Sequence, residues 1–239
     1  MWKNINLDKC LSHVNNQRDA RFNSPPEARP AITVSRQCGA GGRTVASKLA
    51  EYLQPHAPYG CHWTIFDRNL MKKVLEDHSL SVRLAEFLPE SSKSRLSEMI
   101  EKFRGKHHPS ASKIVEQSVE TIWQLAVGGH VILVGRAANV ITAKLKNVFH
   151  VRLVGSLENR IEQVEEIYDF DRHAALAYIK SQDEAKRLYL KEYFGQDIDD
   201  PQIYHLIVNT DRISYGDTAK LIGDAVLNWF KLESAASMK

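Results

Sequence analysis

The chain has little cysteine. Cys10, Cys38 and Cys61 are an odd set of three in 239 residues, and no two stand in C-x-x-C spacing. That excludes a disulfide framework and a zinc knuckle, and it suits a reducing, cytoplasmic setting. No apolar run approaches the roughly 20 residues of a membrane-spanning helix, and Met1 to Pro30 has no apolar core of the signal-peptide kind, so the chain reads as neither exported nor embedded. No one sign of charge dominates either. The 32 Lys+Arg against 29 Asp+Glu leave +3, too mild for a nucleic-acid surface yet suited to small anionic ligands. With 43% hydrophobic and 26% charged side chains, and no repeat or low-complexity stretch, disorder, collagen and coiled coil are excluded. The length fits one large domain or a domain with a small insertion.

What is present is an alternation of short apolar runs and amphipathic segments. An Asn-, Arg- and Pro-rich arm covers residues 1–30 and ends in Arg29-Pro30. Strands are predicted at 31–35, 63–67, 130–135, 148–154 and 206–209, because each is short, apolar and rich in β-branched residues. Helices are predicted at 44–53, 68–78, about 115–126, from Ser156 toward Phe170, and 217–232. Ser156 is placed as an N-cap with Glu158 in the first turn, and Gly128-Gly129 stop the preceding helix. Residues 80–112 are polar and break helical periodicity, which reads as short helices inserted beside the sheet. Residues 171–195 are helical in propensity but heavily charged, and read as an exposed, mobile segment. The domain proper then spans 31–234, leaving a tail at 235–239. Such alternation predicts an α/β fold: a five-stranded parallel sheet with helices on both faces and a ligand site at the C-terminal strand ends.

The residues after the first strand are Ser35-Arg36-Gln37-Cys38-Gly39-Ala40-Gly41-Gly42-Arg43-Thr44. A glycine-rich turn between strand and helix aims backbone N–H groups and the positive helix end at an anion, usually phosphate. Against G-x-x-x-x-G-K-[ST], Arg36 occupies the first glycine position and Gly42 the lysine position. A plain tight turn explains neither three Gly and one Ala in four positions nor the two flanking arginines. Arg36 or Arg43 can supply the missing positive charge, and Thr44 a hydroxyl toward magnesium.

The S-R-x-x-G-[AS]-G-G-R core within Ile32 to Leu53 resembles the glycine loop of the cytidylate-kinase-like proteins, a divergent branch of the P-loop nucleoside monophosphate kinases. Phe66-Asp67-Arg68-Asn69-Leu70-Met71, Val134-Gly135-Arg136-Ala137-Ala138-Asn139 and Phe149 to Val154 agree with that resemblance in order and spacing. So do Asp183 to Arg187 with Tyr193-Phe194-Gly195, and Leu206 to Ser214. The resemblance covers about residues 31–230. It implies a three-layer P-loop fold, ATP with Mg2+ as donor, and a nucleoside monophosphate such as CMP as acceptor. It also implies an acceptor-binding insertion at about 80–112 and a lid at about 171–195.

On that resemblance the donor is held by Gly39, Ala40, Gly41, Gly42, Arg43 and Thr44, with Thr44 toward Mg2+. Arg36, Arg43, Arg187 and Asp183 are the catalytic candidates, the arginines to neutralise charge during transfer and Asp183, one turn before Arg187, as its companion in the lid. Asp67, Arg68 and Arg136 are the acceptor candidates, although Asp67 also reads as a helix cap and Arg68 as a surface pair. Arg152 lies within an apolar strand, turns out or pairs with an acid, and is assigned no role. Asn209 reads most simply as a turn residue, and His107-His108 as a polar loop. Gly42 at the lysine position makes turnover slow or seats the donor differently. A nucleotide-binding sensor without turnover, and a kinase of another metabolite, stay open beside the monophosphate kinase.

Overall fold

A computed structural model describes residues 29–57, 61–67 and 109–237. Arg68, the helix expected over 68–78 and residues 80–108 of the expected insertion lie outside the described residues. The strands are β1 (Ala31–Arg36), β2 (Thr64–Phe66), β3 (Val131–Val134), β4 (Val148–Val154) and β5 (Leu206–Asn209). They form one parallel sheet in the order β2-β3-β1-β4-β5. The helices are α1 (Gly42–Leu53), α2 (Pro109–Gly128), α3 (Ala138–Ile141), α4 (Leu157–Tyr168), α5 (Arg172–Phe194) and α6 (Tyr215–Ser237).

The register explains why β1 is central. Ala31 is paired with Val131 on one side and Val148 on the other, so β1 is covered on both edges and both faces. Its residues 31–35 are buried, as parallel strands require. On one face α1 and α6 pack Leu49, Leu53 and Ile222 against Val34, Val151 and Leu153. On the other, Val119 and Ile122 of α2 meet Phe66 and Leu133, with Leu190 of α5 and Ile198 alongside. Sequential strands diverge on either side of β1, so the crevice at its C-terminal end is where such a sheet binds ligands.

The sequence-based boundaries agree with the structure to within a few residues at most elements, with informative exceptions. Ser156 caps α4, its hydroxyl accepting from the Asn159 N–H at 3.3 Å. The helix nonetheless stops at Tyr168, because Asp169 turns left-handed at φ 55°. Helix α2 begins at Pro109, inside the stretch read as broken, since proline suits a first helical position. The charged segment is one helix capped by Asp171 and ended by Gly195 at φ 66°. It is less exposed than its composition suggested. Ala175 and Ile179 are buried against Ile161 and Val164 of α4, making a small separate core for the α4–α5 pair.

A second polar device lies inside β4. His150 is buried, with Nδ1 2.9 Å from Thr33 Oγ1, and its backbone N–H donates to His205 Nδ1 at 2.9 Å. Burial, with His205 adding to it, holds the His150 imidazole down to about 3. Unfolded, this group takes up a proton near 6.5; folded, it stays neutral until about 3. Stability is therefore lost as pH falls through that window, at about 1.4 kcal/mol per pH unit. Between pH 7 and pH 5, urea unfolding of the wild type should lose about 2 kcal/mol more than that of His150→Gln. Equal losses in the two proteins would show that His150 is not the titrating group.

Candidate functional site

The site begins where β1 ends. Gly39 and Gly41 adopt φ 84° and 72°, backbone that an L side chain rarely takes. Space requires glycine as well. A Cβ at Gly39 would lie 2.8 Å from Arg160 Cβ, and one at Gly41 would run into the Tyr215 ring, 2.5 Å from Cζ. Helix α1 then starts with no side-chain cap and no acid in its first turn, so its positive end faces the loop uncompensated.

Arg36 closes this loop from the strand side. A Cβ on Gly42 would stand 2.8 Å from Arg36 Cγ and 3.2 Å from Cδ, so the aliphatic stem lies directly across Gly42. The guanidinium reaches Gly135, where an added Cβ would collide with Nη1 and stand 2.9 Å from Cζ. Burial lowers the Arg36 pKa, with Asp67 and Asp183 among the charges that oppose the shift. Gly135 has φ 81° and is followed by Arg136 at 58° and Ala137 at 57°. Two consecutive non-glycine residues in the left-handed region hold on the order of 1–3 kcal/mol each, and such strain collects at functional sites. Arg136 is half-buried and close enough to Tyr189 of α5 to oppose the rise that burial imposes on that phenol.

The opposite wall is made by α4 and α5. Asp183 of α5 accepts from the Cys38 backbone N–H at 2.7 Å and from Lys186 Nζ at 3.0 Å through Oδ1. Its Oδ2 accepts from Arg160 Nη1 at 2.6 Å. Arg160 is 9% exposed, also donates to the Cys38 carbonyl at 3.2 Å, and has an Nε with no partner among the described residues. Burial first and Arg36 second lower the Lys186 pKa. Burial raises that of the Cys38 thiol. Beside this cluster lies a cleft lined by Arg36, Gln37, Arg152, Lys186, Arg187 and Asp199, among others.

The structure thus brings Arg36, the loop 39–42, Asp183 and Arg187 to one place, with Arg136 at the rim by way of Gly135 and Tyr189. Arg187 is half-exposed on the cleft wall, donating to Glu184 at 2.7 Å and to Asp199 at 3.4 Å. Arg43 turns away to Asp67, 2.6 Å distant at the end of β2. Thr44 is half-buried in the first turn of α1. Asn209 accepts from the Asp211 N–H at 2.9 Å, a turn role. Among the described residues no three His, Cys, Asp or Glu side chains gather as a metal cage.

Sequence reasoning gave no site role to Arg160, Lys186 or Arg152. Arg160 does share a helical stripe with the buried Val164, four residues on, and Lys186 sits three residues after Asp183. Arg152 does pair with an acid, through Nη2 to Asp199 at 2.5 Å. It also donates to Ser35 Oγ at 3.1 Å, directly across the β1–β4 register.

Comparison with known proteins agrees with this architecture. A cytidylate kinase of Methanocaldococcus jannaschii is 26% identical over 200 residues, 82% of this chain and 97% of that protein. One of Staphylothermus marinus is 25% identical over 109 residues, 46% of this chain, and the match spans 61% of the relative. The solved structure of an uncharacterized protein from Eubacterium ventriosum superposes with a TM-score of 0.61 at 20% identity, covering 85% of this chain and 98% of that one, a likeness of fold. The five-stranded parallel sheet with its flanking helices is consistent with a P-loop NTPase-like α/β fold. The model of the cytidylate kinase-like family matches residues 31–212, from the first residue of β1 through β5, and the chain belongs to that family.

Proposed function

We propose that this chain transfers the terminal phosphoryl group of ATP to a small acceptor, a nucleoside monophosphate such as CMP. The observation that carries the reading is the glycine loop at the end of the central strand, with an uncapped helix start on one side and Arg36, Arg160 and Lys186 converging from the others. Phosphoryl transfer asks a protein for positioning and charge neutralisation rather than a nucleophile, and this site is built of those.

The loop residues fit a phosphate on their own geometry. The Cys38 N–H already takes an oxyanion, the Asp183 carboxylate, and the Arg160 Nε is a buried donor with no partner among the described residues. In this reading Gly39 to Thr44 hold the donor. Arg36 and Arg187 offset its charge on the α5 side, α5 serving as the lid. Arg43 fixes Asp67, which with Arg136 serves the acceptor. Mg2+ keeps most of its waters and is held largely by phosphate oxygens, and we assign it the Thr44 hydroxyl. Bound there, it would neutralise the β- and γ-phosphates.

Arg36 takes the place of the absent lysine. Its stem covers Gly42, so a side chain at 42 and an arginine at 36 exclude one another. Two outcomes are expected. The purified protein should release ADP from ATP in an acceptor-dependent manner, strongest with CMP among nucleoside monophosphates. Arg36→Ala should lower that rate by at least about 100-fold with its circular dichroism unchanged. ATP binding with no acceptor-stimulated release would reject transfer and leave a nucleotide sensor. Separately, Gly42→Ala should lower the urea-unfolding free energy by about 1–3 kcal/mol, and by much less in an Arg36→Ala background. Strict additivity would show that the stem does not rest on Gly42.

A further inference from the structure

We propose that the Asp183 carboxylate is an internal stand-in for a phosphate group. In the ligand-free chain it fills the oxyanion position formed by the Cys38 N–H, Arg160 Nη1 and Lys186 Nζ, and a nucleotide phosphate binds by displacing it. This rests on the reading that the glycine loop binds phosphate.

The geometry is unusual for an ordinary surface pair. Three donors from three elements meet one carboxylate: a loop amide at 2.7 Å, an α4 guanidinium at 2.6 Å and an α5 ammonium at 3.0 Å. The amide belongs to the same loop, one residue before Gly39, whose backbone is packed against Arg160. The Cys38 N–H is satisfied by this side chain, so a phosphate oxygen can take that amide only when Asp183 leaves it.

Charge and donor count show which anion fits better. Arg160 and Lys186 share the one Asp183 carboxylate, with Arg36 close by and Asp67 already paired to Arg43, and Lys186 is pressed toward its neutral form by burial and by Arg36. A monoanion leaves this group undercompensated. The Arg160 Nε also finds no partner among the described residues. A terminal phosphate brings one more free oxygen and up to one more charge than a carboxylate, which suits both shortfalls. Asp183 stands in mid-helix on α5, so its release frees α5 from the loop and couples ligand entry to the position of that helix.

The sign of the expected effect sets this apart from a carboxylate that serves a ligand or a metal. Removing a competitor tightens binding, because the competent state no longer has to be opened first. Metal-free calorimetry with inorganic pyrophosphate should show Asp183→Asn binding about tenfold more tightly than the wild type, the scale of one charge-assisted contact. In anion-free buffer Asp183→Asn should melt lower than the wild type, its cations being unpaired, and should gain more in melting temperature on adding pyrophosphate. Asp183→Ser should show the same two signs. Equal or weaker pyrophosphate binding by both variants, with the wild type binding, overturns the stand-in and leaves the phosphate loop in place. No binding by any of the three proteins overturns both.

Discussion

Arg36 lying across Gly42 is the contact on which the rest of the site depends. The stem needs a residue without a Cβ beneath it, and the guanidinium needs another at Gly135. The second glycine starts the left-handed run that sets the course of Arg136 and Ala137 into α3. One side chain at the end of β1 thereby dictates the start of α1 and the exit from β3, two elements far apart in sequence. The charge that a lysine would bring from the first turn of a helix comes here from the last residue of a strand. The two arrangements compete for the same volume, so a change at either position alone leaves a clash or a gap.

Burying cations beside that loop has a cost that the α4–α5 pair must offset. Arg160 is almost wholly buried and Lys186 half-buried, and a buried charge without a partner is strongly destabilising. Asp183 answers both and also reaches the Cys38 amide, so one carboxylate ties α4, α5 and the loop together. This explains how a helix with so few buried apolar residues, Ala175, Ile179 and Leu190, is fixed against the domain. Its small apolar core holds one end to α4, and its middle is held by charge. Contacts of that kind are the ones a competing anion can exchange, whereas the Leu190 contact with the main core is not exposed to such competition.

How far the sequence could be read follows from the range of the interactions. The inner strands are legible because a parallel strand buried on both faces must be apolar along its length, as Val131–Val134 is, and the edge strand Leu206–Asn209 keeps enough of that pattern to be read. The caps Ser156, Asp171 and Gly195 are local chemistry and stand where turn and cap preferences place them. The glycine loop is legible because its signature is contiguous. Arg160, Lys186 and Arg152 were not, because their meaning is set by partners at a distance. Arg160 finds Cys38 across 122 residues and Arg152 finds Ser35 across 117. Charge on a helix is ordinarily solvated, and the packing of Gly39 against Arg160, with its bonds to Asp183 and the Cys38 carbonyl, holds that side chain inside. The turning of Arg43 to Asp67 belongs to the same class, since neither residue carries a local sign of the other.

The sheet order gives these pieces a division of labour. On one side of β1 stand β4 and the cations Arg160 of α4 and Lys186 of α5; on the other stand β3 and β2, with Arg136 and Asp67 at their ends. A phosphoryl group passing between two anionic molecules across β1 has to be met by a cation that both sides share. Arg36 has that placement: it issues from the central strand, packs on the loop at Gly42, and ends at Gly135 on the β3 side. Its charge is felt by Asp183 on one side and Asp67 on the other. A lysine extending from the first turn of α1 would be rooted in the donor loop. An arginine rooted in β1 is rooted between donor and acceptor, and its planar fork can meet oxygens of both. In the proposed reaction the lysine-less loop is therefore a different solution to the same electrostatic problem, in which the neutralising charge is anchored to the sheet and the helix contributes only its backbone.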